Sequence, residues 1–360
     1  LRTIEQYLGP EVFREGVRNY LRAHAYGNAD TNDLWGAVGQ AAKQAVPELM
    51  DGWIFQPGYP LVTVRQDNET ELVLSQQRFT YLASPESIEQ RWQIPVPLRI
   101  TAVGTTEHRR LLLTDREVRV SLPKGVQHLF VNEEGHGFYR VRYESSLLQR
   151  ILEAGVGRLA PSERFNLVSD VWATTVSGLT PLSDYLHLTS HFTGERDNNV
   201  WAVLLDSFSF LNRIIAAEDR PVLEAFVRTR LMPAVTELGG LPQAGEDELI
   251  RQLRGELIGA LGKLGNDLAT HAQAAEQYQR YRADHSSVDP NVIPALVAIL
   301  AHTGNEVRYN EFSDHSRTAT TPQEERRYLF ALAAFQTSAL LARTLARTIS
   351  GEMRTQDAPF

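Results

Sequence analysis

The sequence predicts a mainly α-helical protein with a small all-β domain between two helical stretches. Two changes of hydrophobic period indicate this architecture. Apolar residues recur at helical spacing over residues 1–55, alternate with polar residues over 56–127, and return to helical spacing over 128–360. We therefore expect the helical end of one domain, then a β-sandwich, then an α-solenoid-like helical array of the HEAT or armadillo kind.

The first stretch, residues 1–55, has the pattern of several short helices. Leu1, Ile4 and Leu8 share one helix face, and a Gly-Pro pair then interrupts the run. Thr31 is a suitable N-cap for a later helix. A short helix is expected from about 47 to 55.

The second stretch, residues 56–127, is predicted to form a small antiparallel sandwich. Short alternating runs follow one another at about 8–12-residue spacing, which is typical of such folds. Pro95 and Pro97 are expected at strand starts or edges, where a missing N–H group costs least. The predicted strands are 61–66, 72–74, 78–82, 92–94, 96–100, 109–113 and 118–120.

The third stretch, residues 128–360, is predicted to be entirely helical. Asp289 and Thr321 each precede a proline, which places a capping residue before proline at the first helical position. Glu324 adds the capping-box pattern after Thr321. No clear residue-level repeat is present. The predicted helices are 145–155, 162–177, 181–193, 199–217, 221–238, 246–264, 267–284, 290–303, 322–335 and 337–350.

Composition excludes several classes of protein. The 360 residues are 42% hydrophobic and 22% charged, with a formal net charge of −8 and no cysteine. An acidic chain argues against nucleic acid as a partner, and the lack of cysteine excludes disulfides and thiolate metal sites. No apolar run reaches the roughly 18 residues that a membrane span needs.

Two histidine-containing segments carry side chains that can ligate a metal. His187 and His191 lie four residues apart, which places both on one helix face, but no glutamate follows the first histidine as in a HExxH zinc peptidase. The segment Glu133-Glu134-Gly135-His136 offers two carboxylates and an imidazole. Both segments read more simply as packing or surface residues, so no metal is assigned to them.

Signals for other chemistry are weaker. There is no Gly-x-Ser-x-Gly elbow and no GxGxxG, and Gly262-Lys263-Leu264-Gly265 reads as a helix end instead of a phosphate loop. Phe208, Phe210 and Leu211 are expected in the core. Chemistry alone therefore predicts nothing beyond a helical array attached to a β-domain.

Several phrases in fixed order are nevertheless specific. They are Leu1-Arg2-Thr3-Ile4-Glu5-Gln6-Tyr7-Leu8-Gly9-Pro10-Glu11-Val12-Phe13, His24-Ala25-Tyr26-Gly27-Asn28-Ala29, Asp33-Leu34-Trp35, Met50-Asp51-Gly52-Trp53-Ile54-Phe55-Gln56-Pro57-Gly58-Tyr59-Pro60, Gln76-Gln77-Arg78-Phe79, Trp92-Gln93-Ile94-Pro95, Gly137-Phe138-Tyr139-Arg140-Val141-Arg142-Tyr143, and Ser350-Gly351-Glu352-Met353-Arg354-Thr355-Gln356-Asp357. Over essentially the whole chain, this series resembles the C-terminal half of the M1 family of zinc aminopeptidases, of the aminopeptidase N and puromycin-sensitive type.

The resemblance implies a domain assignment. Residues 1–55 would close a thermolysin-like catalytic domain, residues 56–127 would form the β-sandwich, and residues 128–360 would form a helical domain that encloses the active site and helps select peptides. The native N-terminus is expected upstream, because Leu1 reads as mid-helix, and the helical domain is expected to continue beyond the last phrase.

The resemblance also places the family's chemistry upstream of Leu1. The zinc-binding HExxH, its distant glutamate, the Gly-x-Met-Glu-Asn segment and the tyrosine that stabilises the intermediate are all absent here. No residue of this sequence is therefore assigned a catalytic, cofactor-binding or metal-binding role. The resemblance implies that zinc, peptide substrates and an upstream catalytic domain belong to the parent enzyme. Trp53, Tyr59, Tyr139 and Tyr143 are interpreted as packing residues, and a cytoplasmic location is expected.

Two alternatives remain open at this point. The first is a non-catalytic helical scaffold whose concave surface binds protein partners. The second is a self-contained hydrolase that uses His136, His187 or His191.

Overall fold

The computed structural model describes residues 1–82, 90–240, 245–354 and 356–357, so Thr355 of the last quoted phrase lies outside it. The chain divides into two compact units, residues 1–191 and 192–360. In the described part of the chain, every strand lies in the first unit, and helices make up most of the rest. The expectation of a mainly α-helical chain with a smaller β part is confirmed.

The first unit begins with four helices that pack around a small core. A Cβ atom added at Gly16 would lie 2.6 Å from Cα of Val38, so glycine lets the second and third helices approach closely. The N-cap of the third helix is Asp30, not Thr31. Asp30 accepts a hydrogen bond from the backbone of Asp33, whose side chain bonds back to the N-cap amide. The helices are α1 (Arg2–Leu8), α2 (Pro10–Ala23), α3 (Thr31–Ala42) and α4 (Val46–Ile54).

Outside residues 83–89, which the structure does not describe, seven strands follow and form two sheets. In one sheet the order is β5-β2-β1-β7, with β1 and β7 parallel, and in the other it is β4-β3-β6. The remaining pairs are antiparallel. The strands are β1 (Pro60–Asn68), β2 (Glu71–Arg78), β3 (Ile94–Ala102), β4 (Thr105–Leu113), β5 (Glu117–Ser121), β6 (Val126–Val131) and β7 (Arg140–Tyr143).

Three details of the predicted strands are wrong. The predicted strand 78–82 ends at Arg78, and Phe79 leaves the sheet to pack against Leu61. The predicted strands 92–94 and 96–100 form the single strand β3. Its half with Pro95 and Pro97 pairs with β4 alone, where a missing N–H is tolerated. The strands also continue past residue 127, because β6 ends at Val131 and β7 follows it. Strand β7 has only four residues, and it pairs in parallel with β1, which is distant in sequence.

Two polar side chains connect the sheets. Gln76 of β2 donates to the carbonyl oxygens of Trp92 (2.9 Å) and Asp115 (3.0 Å), and its own oxygen accepts from the Trp92 amide (2.9 Å). The Tyr143 hydroxyl of β7 bonds to both the amide (2.8 Å) and the carbonyl (3.2 Å) of Val131 in β6. Each side chain satisfies backbone groups that have left water, so both sheets are tied to a common interior.

The first unit ends with three helices, and ion pairs anchor the middle one to the sheets. Glu163, fully buried, pairs with Arg99 of β3 at 2.9 Å. Asp170 pairs with Arg140 of β7 at 3.0 Å and accepts the Val141 amide at 2.9 Å. Burial nevertheless raises the pKa of Asp170 to about 7. The helices are α5 (Ser145–Ala154), α6 (Pro161–Val176) and α7 (Leu182–Thr189).

The second unit consists of helices around an aromatic core. Tyr278, Phe312 and Phe335 are each fully buried in one cluster. Among the described residues of both units, no helix combines the length and hydropathy needed to cross a membrane. The helices are α8 (Asn198–Ile214), α9 (Arg220–Leu238), α10 (Glu248–Lys263), α11 (Leu268–Ala283), α12 (Ile293–His302), α13 (Glu306–Thr318), α14 (Pro322–Ala331) and α15 (Ser338–Ile349).

Helix α13 was not predicted. Its sequence is mostly polar, and its large buried side chains are only Tyr309 and Phe312. Ser313 and Ser316 complete the buried face. A periodicity search weighs apolar residues, so a face half made of serine gives little signal, even though Asn305 caps the helix well.

Candidate functional site

Helices α10 and α12 meet along a face of glycines. A Cβ atom added at Gly255 would lie 2.1 Å from the Asn291 carbonyl oxygen, and one at Gly262 would lie 2.6 Å from the Ile299 side chain. Contact is possible only because these positions lack side chains. Since both contact points advance in the same direction along the two helices, α10 and α12 run parallel.

Helix α8 lies beside α10 in the same direction. At the N-terminal ends, the Asn198 side chain donates to the Leu249 carbonyl at 3.0 Å, and the Asn291 side chain donates to Glu248 at 2.9 Å. These two bonds bring the starts of α8, α10 and α12 together. The alternate helices α8, α10 and α12 therefore lie side by side and parallel.

The three helices line a groove of about 1150 Å³. The small side chains Ala202, Ser209 and Ala298 leave it open, together with the glycines of α10. The intervening helices α9, α11 and α13 contribute no lining residue. The lining comes from residues 202–213, 252–264, 290–302 and 333–336.

Charged side chains occupy the groove at regular intervals. Asp206 and Arg213 lie on α8, Glu256 and Lys263 lie on α10, and His302 ends α12. Within the described residues, none of these five side chains makes a hydrogen bond or an ion pair. Arg213 has only a cation–π contact, its Cζ lying 5.7 Å from the ring centre of the neighbouring Phe210.

Burial shifts the titration of three of these groups. It raises the pKa of Glu256 and lowers the pKa of Lys263, because each ion loses part of its hydration in the groove. Burial also lowers the pKa of His302, and the positive charges of His271 and Lys263 add to that shift. Both effects favour the neutral form of the His302 imidazole.

Comparison with known proteins identifies the family. The ERAP1-like C-terminal domain family matches residues 129–360, which is more than half of the chain. The chain belongs to the M1 aminopeptidase family. The M1 peptidase domain itself matches residues 1–53, so the chain corresponds to the C-terminal region of such a protein.

Curated relatives agree with this M1 assignment. The chain is 28% identical over 331 residues to aminopeptidase 2 of Candida albicans, covering 90% of the chain and 36% of the relative. It is 29% identical to aminopeptidase M1 of Arabidopsis thaliana, covering all of the chain and 43% of the relative. It is 27% identical to the puromycin-sensitive aminopeptidase of Caenorhabditis elegans, covering 95% and 37%. The chain thus spans about two-fifths of the length of the relatives it matches.

The described residues of this M1 chain do not provide a set of ligands for the family's zinc ion. No group of three or more histidine, aspartate or glutamate side chains there could hold a metal ion. The His187 and His191 rings lie 5.2 Å apart in an edge-to-face contact, and Nε2 of His187 lies 3.2 Å from Oε1 of Gln149. We therefore derive no reaction step through a metal in this chain.

The Glu133–His136 segment borders a second cavity, of about 570 Å³, in the first unit. The Glu133 carboxylate lies 3.2 Å from the Arg99 guanidinium and 2.8 Å from the His108 ring nitrogen Nδ1. The Glu134 carboxylate lies 4.0 Å from His136. Through Glu133, this loop contacts Arg99 of β3 and His108 of β4, so its carboxylate joins the loop to both strands.

The other residues singled out in the sequence pack against their neighbours. Phe208 and Leu211 are buried, Phe210 is half-buried, and Lys263 ends α10 as expected of a helix end. Tyr139 and Tyr143 are buried at the sheets. Trp53 donates its indole N–H to the Gln93 carbonyl at 3.1 Å, and Tyr59 stacks on Phe79 at 5.6 Å.

Sequence reasoning missed the charged residues of the groove. A signal was present: α8 and α10 each carry an acid followed seven residues later by a base, Asp206 with Arg213 and Glu256 with Lys263. Seven residues are two helical turns, so each pair shares a face but is too far apart for an ion pair within the helix. A comparison of charge spacing between the predicted helices would have identified these four residues.

Proposed function

We propose that this chain is the non-catalytic C-terminal part of a zinc-dependent aminopeptidase that removes N-terminal amino acids from peptides. Its helical part would enclose the active site and help select peptides. The observation that carries this proposal is the groove lined by one face of alternate helices, in a chain of the M1 aminopeptidase family. An open groove of this size, lined by small and charged side chains, suits an extended peptide better than a folded protein.

We further propose the three-part organisation 1–55, 56–127 and 128–360. The match of the M1 peptidase domain to residues 1–53 supports the first part, and the match from residue 129 supports the third. The hydrogen bonds of Gln76 and Tyr143 between sheets support a sandwich, whose last strands β6 and β7 extend beyond residue 127. The parallel alternate helices α8, α10 and α12 support an α-solenoid-like array.

The catalytic domain, the zinc and the peptide substrates belong, in this proposal, to the parent polypeptide. Zinc would supply a Lewis acid and an activated water there. The residues of the present chain would act by bounding the space around the peptide. A cytoplasmic location is proposed on the family resemblance alone.

The test narrows the groove in the full-length parent enzyme. Ala298→Trp places an indole in the groove, while Gln279→Trp, on the exposed side of α11 outside the groove lining, serves as the matched control. We measure kcat/KM on a series of peptides from about three to fifteen residues and on a single-residue chromogenic substrate. Ala298→Trp should lower kcat/KM for the long peptides and leave kcat/KM for the single-residue substrate unchanged. An unchanged length profile would contradict the proposal.

A further inference from the structure

The groove carries charges in two rows. Asp206 of α8 and Glu256 of α10 lie at the same level, because the bond between Asn198 and Leu249 sets an offset of about fifty residues between these helices. The same offset brings Arg213 level with Lys263. We call the first pair the acidic row and the second pair the basic row.

The rows are separated by two helical turns. Seven residues at 1.5 Å each correspond to about 10.5 Å along the helix axes. A peptide in the polyproline II conformation rises about 3.1 Å per residue with three residues per turn, so residues three positions apart share one face and lie about 9.3 Å apart. A peptide lying along the groove would therefore meet both rows with side chains about three positions apart.

Local helix structure accounts for the two cations of the groove but not for the acids. Helix ends favour cations at the C-terminus, which suits Arg213 and Lys263, but Glu256 lies in the middle of α10, where the helix dipole has no strong preference. Elsewhere on α10, Arg254 is paired with Glu246 at 2.5 Å. The four groove charges, in contrast, have no ion pair among the described residues, although Lys263 and Glu256 are partly desolvated.

We propose that the groove favours peptides in which a basic and an acidic side chain lie three positions apart, the basic one against the acidic row and the acidic one against the basic row. This inference rests on the proposed function, in which the groove receives peptide, and it names the substrate class that the groove prefers. Asp206, Arg213 and Glu256 are exposed and Lys263 is half-buried, so each ion pair forms in contact with solvent, and its contribution is modest and depends on salt.

The experiment measures binding of fluorescein-labelled nonapeptides to this chain by anisotropy at low salt. One peptide has lysine and glutamate three positions apart, a second has the same composition with the two residues adjacent, and a third has glutamine at both positions. The first peptide should bind about threefold more tightly than the second, because adjacent charges reach only one row. The preference should disappear in 0.5 M salt.

Variants assign the preference to the rows. The double substitutions Asp206→Asn/Glu256→Gln and Arg213→Met/Lys263→Met each remove a whole row and should abolish the preference, whereas the exposed controls Glu218→Gln and Lys124→Met, outside the groove, should retain it. Circular dichroism checks that all variants fold. Equal binding of the three peptides, or a preference that survives Asp206→Asn/Glu256→Gln, would overturn the inference and leave peptide binding intact. Binding of none of the peptides would overturn the groove as a peptide site as well.

Discussion

The contact between α10 and α12 allows a quantitative test of how the groove is built. Gly255→Ala places a methyl group 2.1 Å from the Asn291 carbonyl oxygen, whereas ordinary contacts begin at 3.4 Å. The helices must therefore separate locally by about 1.3 Å, in an interior packed as densely as a crystal. The atom in the way is backbone, so no side-chain rotation can relieve the clash.

The expected change follows from two opposing terms. Overpacking of this kind costs about 1–3 kcal/mol, and we expect the upper part of that range because backbone must move. Alanine in place of glycine gains about 1 kcal/mol of helix propensity. Gly255→Ala should therefore lower the free energy of unfolding of the second unit by about 1–2 kcal/mol.

The matched control is Gly36→Ala in α3. No atom lies within 4 Å of a Cβ added there, so only the propensity gain applies, and stability should rise by about 0.5–1 kcal/mol. Urea unfolding followed by circular dichroism measures both changes, and hydrogen exchange of α10 amides localises the effect. If Gly255→Ala is as stable as the parent, or gains stability like the control, the close parallel contact is refuted.

Three further predictions concern the folded units. Because burial raises the pKa of Asp170 to about 7, the folded state binds its proton more tightly than the unfolded chain, so stability should fall as pH rises from about 4 to about 7. Asp170→Asn should remove that slope in urea titrations at successive pH values; a parallel curve would contradict it. Gln76→Met should lower the free energy of unfolding, measured in urea, by about 3 kcal/mol, because it leaves the backbone N–H and carbonyl of Trp92 unpaired in the interior. A decrease below about 1 kcal/mol would mean that water takes the place of the Gln76 side-chain amide. Phe312→Ala should cost about 3–5 kcal/mol and expose the α13 amides to hydrogen exchange; retained protection would show that α13 does not depend on this side chain.

The sequence predicted elements wherever local signals were strong. Most helices of the second unit begin within three residues of their predicted starts, since proline and capping residues mark them. The strand β7 and the helix α13 were missed for a common reason. Four residues in a parallel pair with β1, and a helix whose buried face is half serine, are stabilised by distant partners that no local pattern reveals.

The candidate site was less accessible to sequence reasoning than the fold. Family resemblance correctly identified an M1 aminopeptidase C-terminal region, but it offered no residue in this chain as a site. The groove depends on which helices lie side by side, and that information is carried by contacts such as Gly255 against Asn291. Each charge of the groove looks like an ordinary surface residue until the helices are aligned.

The measurement that tests the account most directly is photo-cross-linking of a bound peptide in the full-length parent enzyme. A peptide with benzoylphenylalanine at successive positions is irradiated with the enzyme, and the cross-linked residues are found by mass spectrometry. The account predicts cross-links on the groove-lining faces of α8, α10 and α12. Cross-links confined to α9, α11 and α13, or none in residues 192–360, would contradict it and favour a scaffold for protein partners.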